Sequence, residues 1–140
     1  MIYRDTTHRD LFEQWIQQTH KKGDVEYSAM FYLLAMDEIT RKHINDIFDF
    51  EEHSIKPRGL FSAPWQTQMT RSTIRLAFNL FNYGICSDRD ENGEDIPDTA
   101  DRYTPANIFD NYFAPYYIQA IKIRFPHYCK PGLYLSDSDE

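Results

Sequence analysis

The chain has 140 residues, of which 41% are hydrophobic and 26% are charged, and its formal net charge is −7. These values are typical of one globular domain and exclude a disordered or collagen-like chain. No apolar run approaches the roughly 20 residues of a membrane-spanning helix, and residues 1–5 turn polar at once, so we expect no secretory signal. Two cysteines that form neither a CxxC motif nor a ligand cluster predict a reduced, cytosolic protein.

Apolar residues at helical spacing predict three helices in the first third of the chain. The first begins at Thr6 or Thr7, where Thr7 and Asp10 have the spacing of a capping box, and we expect it to close at Gly23. Asp24 can cap the second helix, which is apolar over most of its circumference and is therefore predicted to lie at the centre of the domain. A third helix is predicted to start at Asp37.

The rest of the chain alternates irregular and helical segments. Residues 51–69 are punctuated by proline and glycine and are predicted to be irregular. The clearest helix starts at Thr70 as its N-cap and ends near residue 84. Pro105 and Pro115 each stand at the favoured first position of a further helix.

The predicted fold is therefore all-α: one compact bundle of five or six short helices with long irregular connections. We expect the helical domain to span residues 1–126 and a loose acidic tail to span residues 127–140.

The negative charge is concentrated in two places. Residues 88–101 hold seven acids against one arginine, a net charge of −6, and residues 137–140 add −3, so the remainder is close to neutral. A nearly neutral body disfavours binding of nucleic acid over a broad face, which needs a clustered basic surface. A local acidic segment could instead meet a basic protein surface or a cation, or simply keep the protein soluble.

The acidic segment also resembles the first half of a calcium loop. Asp88-x-Asp90-x-Asn92-Gly93 places oxygen ligands at positions 1, 3 and 5 and a glycine at position 6. The second half of the pattern is absent, because Thr99 stands where a bidentate glutamate is needed. Calcium bound by Asp88, Asp90 and Asn92 is therefore an alternative, weighed against an ordinary acidic turn.

No motif of a known catalytic class is present: the chain lacks GxSxG, GxxxxGK[ST], GxGxxG and HExxH. Glu51-Glu52-His53 is the one place where acids and an imidazole are neighbours in sequence. An enzyme whose site is assembled from scattered residues, for instance His53 with Glu51 or Glu52, remains a further alternative.

Aromatic residues make up 16% of the chain, which is more than a small core ordinarily uses. Tyr112, Phe113, Tyr116 and Tyr117 cluster between the last two predicted helices, and Trp65 lies in an irregular segment. Such side chains either fill the core or provide anchors for a protein partner or a second copy of the chain.

Four segments carry a family resemblance: Phe31-Tyr32-Leu33-Leu34, Trp65-Gln66-Thr67, Leu76-Ala77-Phe78-Asn79-Leu80-Phe81-Asn82 and Ile121-Lys122-Ile123-Arg124-Phe125. In that order, over residues 8–126, the chain resembles an uncharacterised family of small proteins of Gram-positive bacteria and their phages. The resemblance implies a cytosolic accessory protein and transfers no catalytic residue. The acidic segment is not part of the resemblance.

Together these observations lead to a hypothesis of a non-enzymatic phage or mobile-element protein that binds a bacterial protein with a basic groove. Nucleic-acid machinery or a defence nuclease would be such a target, which would make the protein an anti-CRISPR-like inhibitor. The residues predicted to contact the partner are Trp65, Asp90, Glu91, Glu94, Asp95, Tyr112 and Tyr116.

Overall fold

The computed structural model of the protein describes residues 1–82 and 84–130. Within these residues the fold consists of seven α-helices and four short strands. The helices are α1 (Thr6–Thr19), α2 (Val25–Met36), α3 (Glu38–Lys42), α4 (Ile44–Ile47), α5 (Gln68–Asn82), α6 (Pro105–Ile108) and α7 (Ala114–Arg124). The strands are β1 (Phe48–Asp49), β2 (Ser54–Ile55), β3 (Cys86–Arg89) and β4 (Asp95–Pro97).

Helix α2 is the centre of the domain, as its all-round apolar sequence predicts. All eight residues from Ala29 to Met36 are buried, and α1, α5 and α7 all pack against this helix. Asp24 caps α2 by accepting hydrogen bonds from the amides of Glu26 and Tyr27, both at 3.0 Å. A helix without a polar face is stable in water only when neighbours cover it on every side, which explains this arrangement.

Helix α1 begins at Thr6, as predicted, but its N-cap and its end differ from the prediction. The N-cap of α1 is Asp5 and not Thr7, because the Asp5 carboxylate accepts the His8 amide at 2.7 Å. The helix stops at His20, which adopts a left-handed conformation with φ of 58°. Gly23 lies beyond that stop, in the connection to α2.

Helix α5 begins at Gln68. With Thr70 as the N-cap it would begin at Arg71, three residues later. Thr67 and Thr70 hold its start reciprocally: the Thr70 amide donates to the Thr67 hydroxyl at 3.1 Å, and the Thr67 amide donates to the Thr70 hydroxyl at 2.7 Å. This is the geometry of a capping box with a threonine in place of the usual acid. The prediction of Thr70 as the N-cap is therefore wrong.

The fold is mostly helical but not purely all-α. Strands β1 and β2 form an antiparallel pair inside the region predicted to be helical and then irregular, with Phe48 opposite Ile55. Strands β3 and β4 form a second antiparallel pair from the acidic segment. Strands of two to four residues are too short for an alternating pattern to show in a sequence. The predicted third helix is also interrupted, since α3 and α4 are separate at His43.

No helix of the described part of the chain is both long and apolar enough to cross a bilayer. Residues 131–140 of the predicted acidic tail lie outside the described residues.

Candidate functional site

The predicted acidic loop forms an antiparallel hairpin of β3 and β4, which we call the acidic hairpin (residues 86–97). Its turn is closed by the Asp90 amide, which donates to the Glu94 carbonyl at 3.0 Å, and by the Gly93 amide, which donates to the Asp90 carbonyl at 3.1 Å. Gly93 has φ of 80°, a conformation that disfavours residues with a side chain. The Asp90 carboxylate accepts the amides of Asn92 and Glu94 at 2.8 and 3.0 Å. The acidic segment therefore presents its side chains on a defined backbone.

The base of the acidic hairpin is fastened to the body at two points. The Asp88 carboxylate accepts the Gly59 amide at 2.8 Å. Just after β4, Asp98 is buried and accepts a hydrogen bond from Nε of Arg75 in α5 at 2.8 Å. The Arg75 guanidinium in turn lies over the Phe61 ring, 5.1 Å from its centroid. This buried ion pair fixes where the hairpin leaves the helical body.

These contacts divide six of the seven acids of residues 88–101 into two groups. Asp88, Asp90 and Asp98 accept backbone or buried side-chain hydrogen bonds, so they have structural roles. Glu91, Glu94 and Asp95 are exposed, and Asp95 pairs with Arg89 at 2.9 Å. Among the residues that the structure describes, Glu91 and Glu94 make no ion pair. The negative charge available to a partner is thus concentrated at the turn.

The described residues contain no cluster of side chains that would hold the predicted calcium ion. In the described ranges, no three histidine, cysteine, aspartate or glutamate side chains lie close enough to hold a metal ion. Asp88 and Asp90 direct carboxylate oxygens at backbone amides, and Asn92 is exposed at the turn. A cation would have to compete with these hydrogen bonds, and calcium binding remains an untested prediction.

The three predicted aromatic anchors have different environments. Tyr112 is 89% exposed and borders an open cavity of about 650 Å³ beside the start of α5, with Met69 and Phe109. Trp65 is half-buried and stacks on the His43 ring at 4.3 Å with an interplanar angle of 3°. Tyr116 is also half-buried, with its ring edge-on to His8 at 6.2 Å. Of these three side chains, only Tyr112 is largely exposed.

Trp65 is nevertheless linked to the acidic hairpin through one loop. It borders a cavity of about 330 Å³ together with Gly59, Leu60 and Arg58. Gly59 is the residue whose amide binds Asp88 at the hairpin base. The hairpin and the Trp65 cavity therefore lie at adjoining parts of the surface, whereas Tyr112 borders a different cavity.

The alternative acid–base group is on the turn between β1 and β2. Glu51 and Glu52 are exposed, and their backbone amides donate to the Asp49 carboxylate at 2.9 and 3.0 Å. His53 is half-buried, with φ of 53°. Glu51 borders an open cavity of about 460 Å³ whose lining includes neither Glu52 nor His53. The structure does not gather these three side chains around one cavity.

Sequence reasoning missed two features of this site. The pairing of β3 with β4 had a local signal, since Asn-Gly is a favoured turn dipeptide of hairpins. The Arg75–Asp98 pair had none, because the two residues are 23 positions apart and each looks like an ordinary surface charge in sequence.

Comparison with known proteins adds a family and no activity. No curated protein and no solved structure matches the chain. Residues 1–135 match the Family of unknown function (DUF6075). Since this match covers nearly the whole sequence, the chain belongs to the DUF6075 family.

Proposed function

We propose that the protein is a non-enzymatic interaction protein that binds a basic surface of a bacterial protein through the acidic hairpin. The observation that carries the proposal is the pair of exposed glutamates, Glu91 and Glu94, which make no ion pair within the described part of the chain. They lie on a turn whose backbone is fixed by Asp90 and Gly93. Preorganised charges lose little conformational entropy on binding, and complementary charge accelerates association.

The structure of the hairpin refines which residues would contact the partner. Glu91, Glu94 and Asp95 would provide the charge, while Asp90 would act by shaping the turn. Ile96 is 43% exposed on β4 and offers apolar area beside the acids. Trp65 lies at the adjoining cavity and would be the nearest aromatic anchor. Tyr112 and Tyr116 would belong to the same interface only if the partner extends beyond the hairpin.

The partner class that fits this surface is a bacterial protein with a basic groove, such as an enzyme of nucleic-acid metabolism or a defence nuclease. Such grooves are basic because they bind phosphate backbones. An acidic hairpin that occupied the groove would block it. A phage or mobile-element origin and a cytoplasmic location are parts of the same proposal.

The test compares two charge-reversal variants of equal size. Glu91→Lys/Glu94→Lys reverses the acids of the hairpin turn. Glu51→Lys/Glu52→Lys is the matched control, because it makes the same change at exposed positions of the turn between β1 and β2. Circular dichroism first verifies that both variants fold. Each tagged protein is then used to capture partners from a Gram-positive bacterial lysate at low and high salt, with quantification by mass spectrometry.

We expect one stoichiometric partner with the wild type and the control, lost with the hairpin variant and weakened by salt. Screening acts over about 10 Å at 0.1 M ionic strength, so exposed acids lose most of their attraction at several times that concentration. A partner that the hairpin variant retains at wild-type level would refute the role of the hairpin. Recovery of the protein alone would refute the wider proposal and favour self-association, which sedimentation analysis would detect.

A further inference from the structure

Residues 1–4, which we call the strap, cross the surface between α2 and α7 and are tied to the body by polar contacts. The Ile2 amide donates to Oε1 of Gln119 at 3.1 Å, and the Tyr32 hydroxyl donates to the Ile2 carbonyl at 2.8 Å. The Arg4 guanidinium donates to the Met36 carbonyl at 3.3 Å and lies over the Phe113 ring. The strap thus closes over the aromatic residues beneath it.

The residue at the centre of these contacts is His8, a fully buried histidine on α1. Its Nε2 lies 2.7 Å from the Tyr32 carbonyl of α2, and its Nδ1 lies 3.0 Å from the Arg4 amide of the strap. A carbonyl can only accept and an amide can only donate, so the two contacts fix the tautomer. Nε2 carries the hydrogen, and Nδ1 is an acceptor.

This tautomer determines which nitrogen of His8 can take up a proton. The next proton can attach only to Nδ1, because Nε2 already has one. A protonated Nδ1 would be a donor facing the Arg4 amide, which is also a donor. The imidazolium and the closed strap are therefore incompatible.

We propose that residues 1–4 form a pH-sensitive strap, held closed by neutral His8 through the Arg4 amide and released when Nδ1 of His8 takes up a proton. Release removes Tyr3, whose ring packs edge-on against His8 at 5.3 Å. It also removes the Tyr3 ring from its contacts with Phe12 and Tyr32.

The charges around His8 support the direction of this switch. The titratable and charged groups that face it are Tyr3, Arg4 and Asp5 before and at the start of α1, Tyr32 of α2, Arg41 of α3 and Tyr116 of α7. Burial is the main cause that lowers the pKa of His8, to about 4, against the opposing hydrogen bond to Tyr32. Arg41 and Arg4 lower it further, and Asp5 raises it. Opening of the strap removes part of this burial and the nearby Arg4 charge, so the pKa of His8 rises toward its ordinary value of 6.5.

The size of the effect follows from linkage. A group that binds protons more tightly in the open state favours opening as the pH falls between its two pKa values. With a pKa of about 4 closed and at most 6.5 open, the equilibrium constant for opening rises by up to about 20-fold from pH 7 to pH 5.

Amide hydrogen exchange measured by NMR at pH 7 and pH 5, corrected for intrinsic rates, tests this directly in the wild-type protein. The Arg4 amide is the reporter, because it donates to His8 itself, and the Leu33 amide in α2 reports on the core. We expect the Arg4 protection factor to fall severalfold, by up to about 20-fold, while remaining at least tenfold below that of Leu33. Unchanged Arg4 protection would overturn the proposal. Equal protection of Arg4 and Leu33 would also overturn it, since the strap would then open only when the whole domain unfolds.

A second variant separates the proton from the strap. In His8→Asn the amide oxygen can accept the Arg4 hydrogen bond but cannot titrate. Where this variant folds, Arg4 protection should be the same at both pH values. A fall of wild-type size that persists in His8→Asn would assign the effect to another group and refute the role of His8.

Discussion

Replacement of Asp98 by alanine should destabilise the protein strongly, because it leaves a buried arginine without its acid. The side chains of Arg75 and Asp98 are only 9% and 4% exposed, and their hydrogen bond is 2.8 Å long. Breaking a buried pair by removing one partner typically costs about 3–5 kcal/mol. Arg75 would keep its contact with the Phe61 ring, so we expect a loss near the lower limit, about 3 kcal/mol.

Urea denaturation followed by far-UV circular dichroism measures this loss. In thermal denaturation of a chain of this length, a loss of about 3 kcal/mol corresponds to a fall in Tm of about 12 °C. The matched control is Asp95→Ala, which removes an exposed ion pair with Arg89 in the same hairpin and should cost less than about 1 kcal/mol.

The double variant Arg75→Met/Asp98→Leu distinguishes a buried charge from simple loss of packing. Replacing both partners by apolar residues removes the uncompensated charge, so this variant should be more stable than Asp98→Ala alone. The reasoning is refuted if Asp98→Ala costs under 1 kcal/mol. It is also refuted if the double variant loses as much as the sum of its single changes, because the two residues would then be energetically independent.

Two further predictions concern a metal and a helix cap. The carboxylates of Asp88 and Asp90 already accept hydrogen bonds from backbone amides. Calorimetric titration with calcium should therefore show no binding below about 1 mM, which is on the order of the affinity of the weakest calcium modules. Saturable heat that Asp90→Asn abolishes would restore the calcium alternative. Asp24→Ala removes two hydrogen bonds at the start of α2 and should lower the free energy of unfolding by about 1 kcal/mol. Asp24→Asn keeps a hydrogen-bond acceptor and should lose less stability. Equal losses for the two variants in urea denaturation would exclude the cap as the cause.

Sequence analysis predicted what depends on short-range chemistry. The Asp24 cap of α2 and Pro105 at the first position of α6 act within one turn of helix, and the structure confirms both. Asp37, predicted to start the third helix, is the N-cap of α3, and Pro115 stands at the second position of α7 and not at the first. The central position of α2 was predictable as well, because its burial is encoded in its own composition.

What was not predictable depends on contacts between distant residues. Phe48 and Ile55 pair as neighbouring strands, although Phe48 fitted the apolar stripe of a helix equally well. His8 stands in the first turn of α1 among polar neighbours, and only the approach of α2 and of the strap buries it. For the candidate site, the acidic residues were identified, but their division into anchoring and exposed groups required the fold.

The enclosure of α2 also determines how the molecule can be divided. Since α1, α5 and α7 all cover the same helix, a fragment that lacks any one of them would expose apolar α2 residues to water. The domain should therefore unfold as one cooperative unit, and cutting it into separately folding pieces should fail. Residues 51–52 and 91–94, in the two turns between strands, are exposed and lie outside this enclosure. They are where insertions, affinity tags or split sites can enter the chain without disturbing its folding.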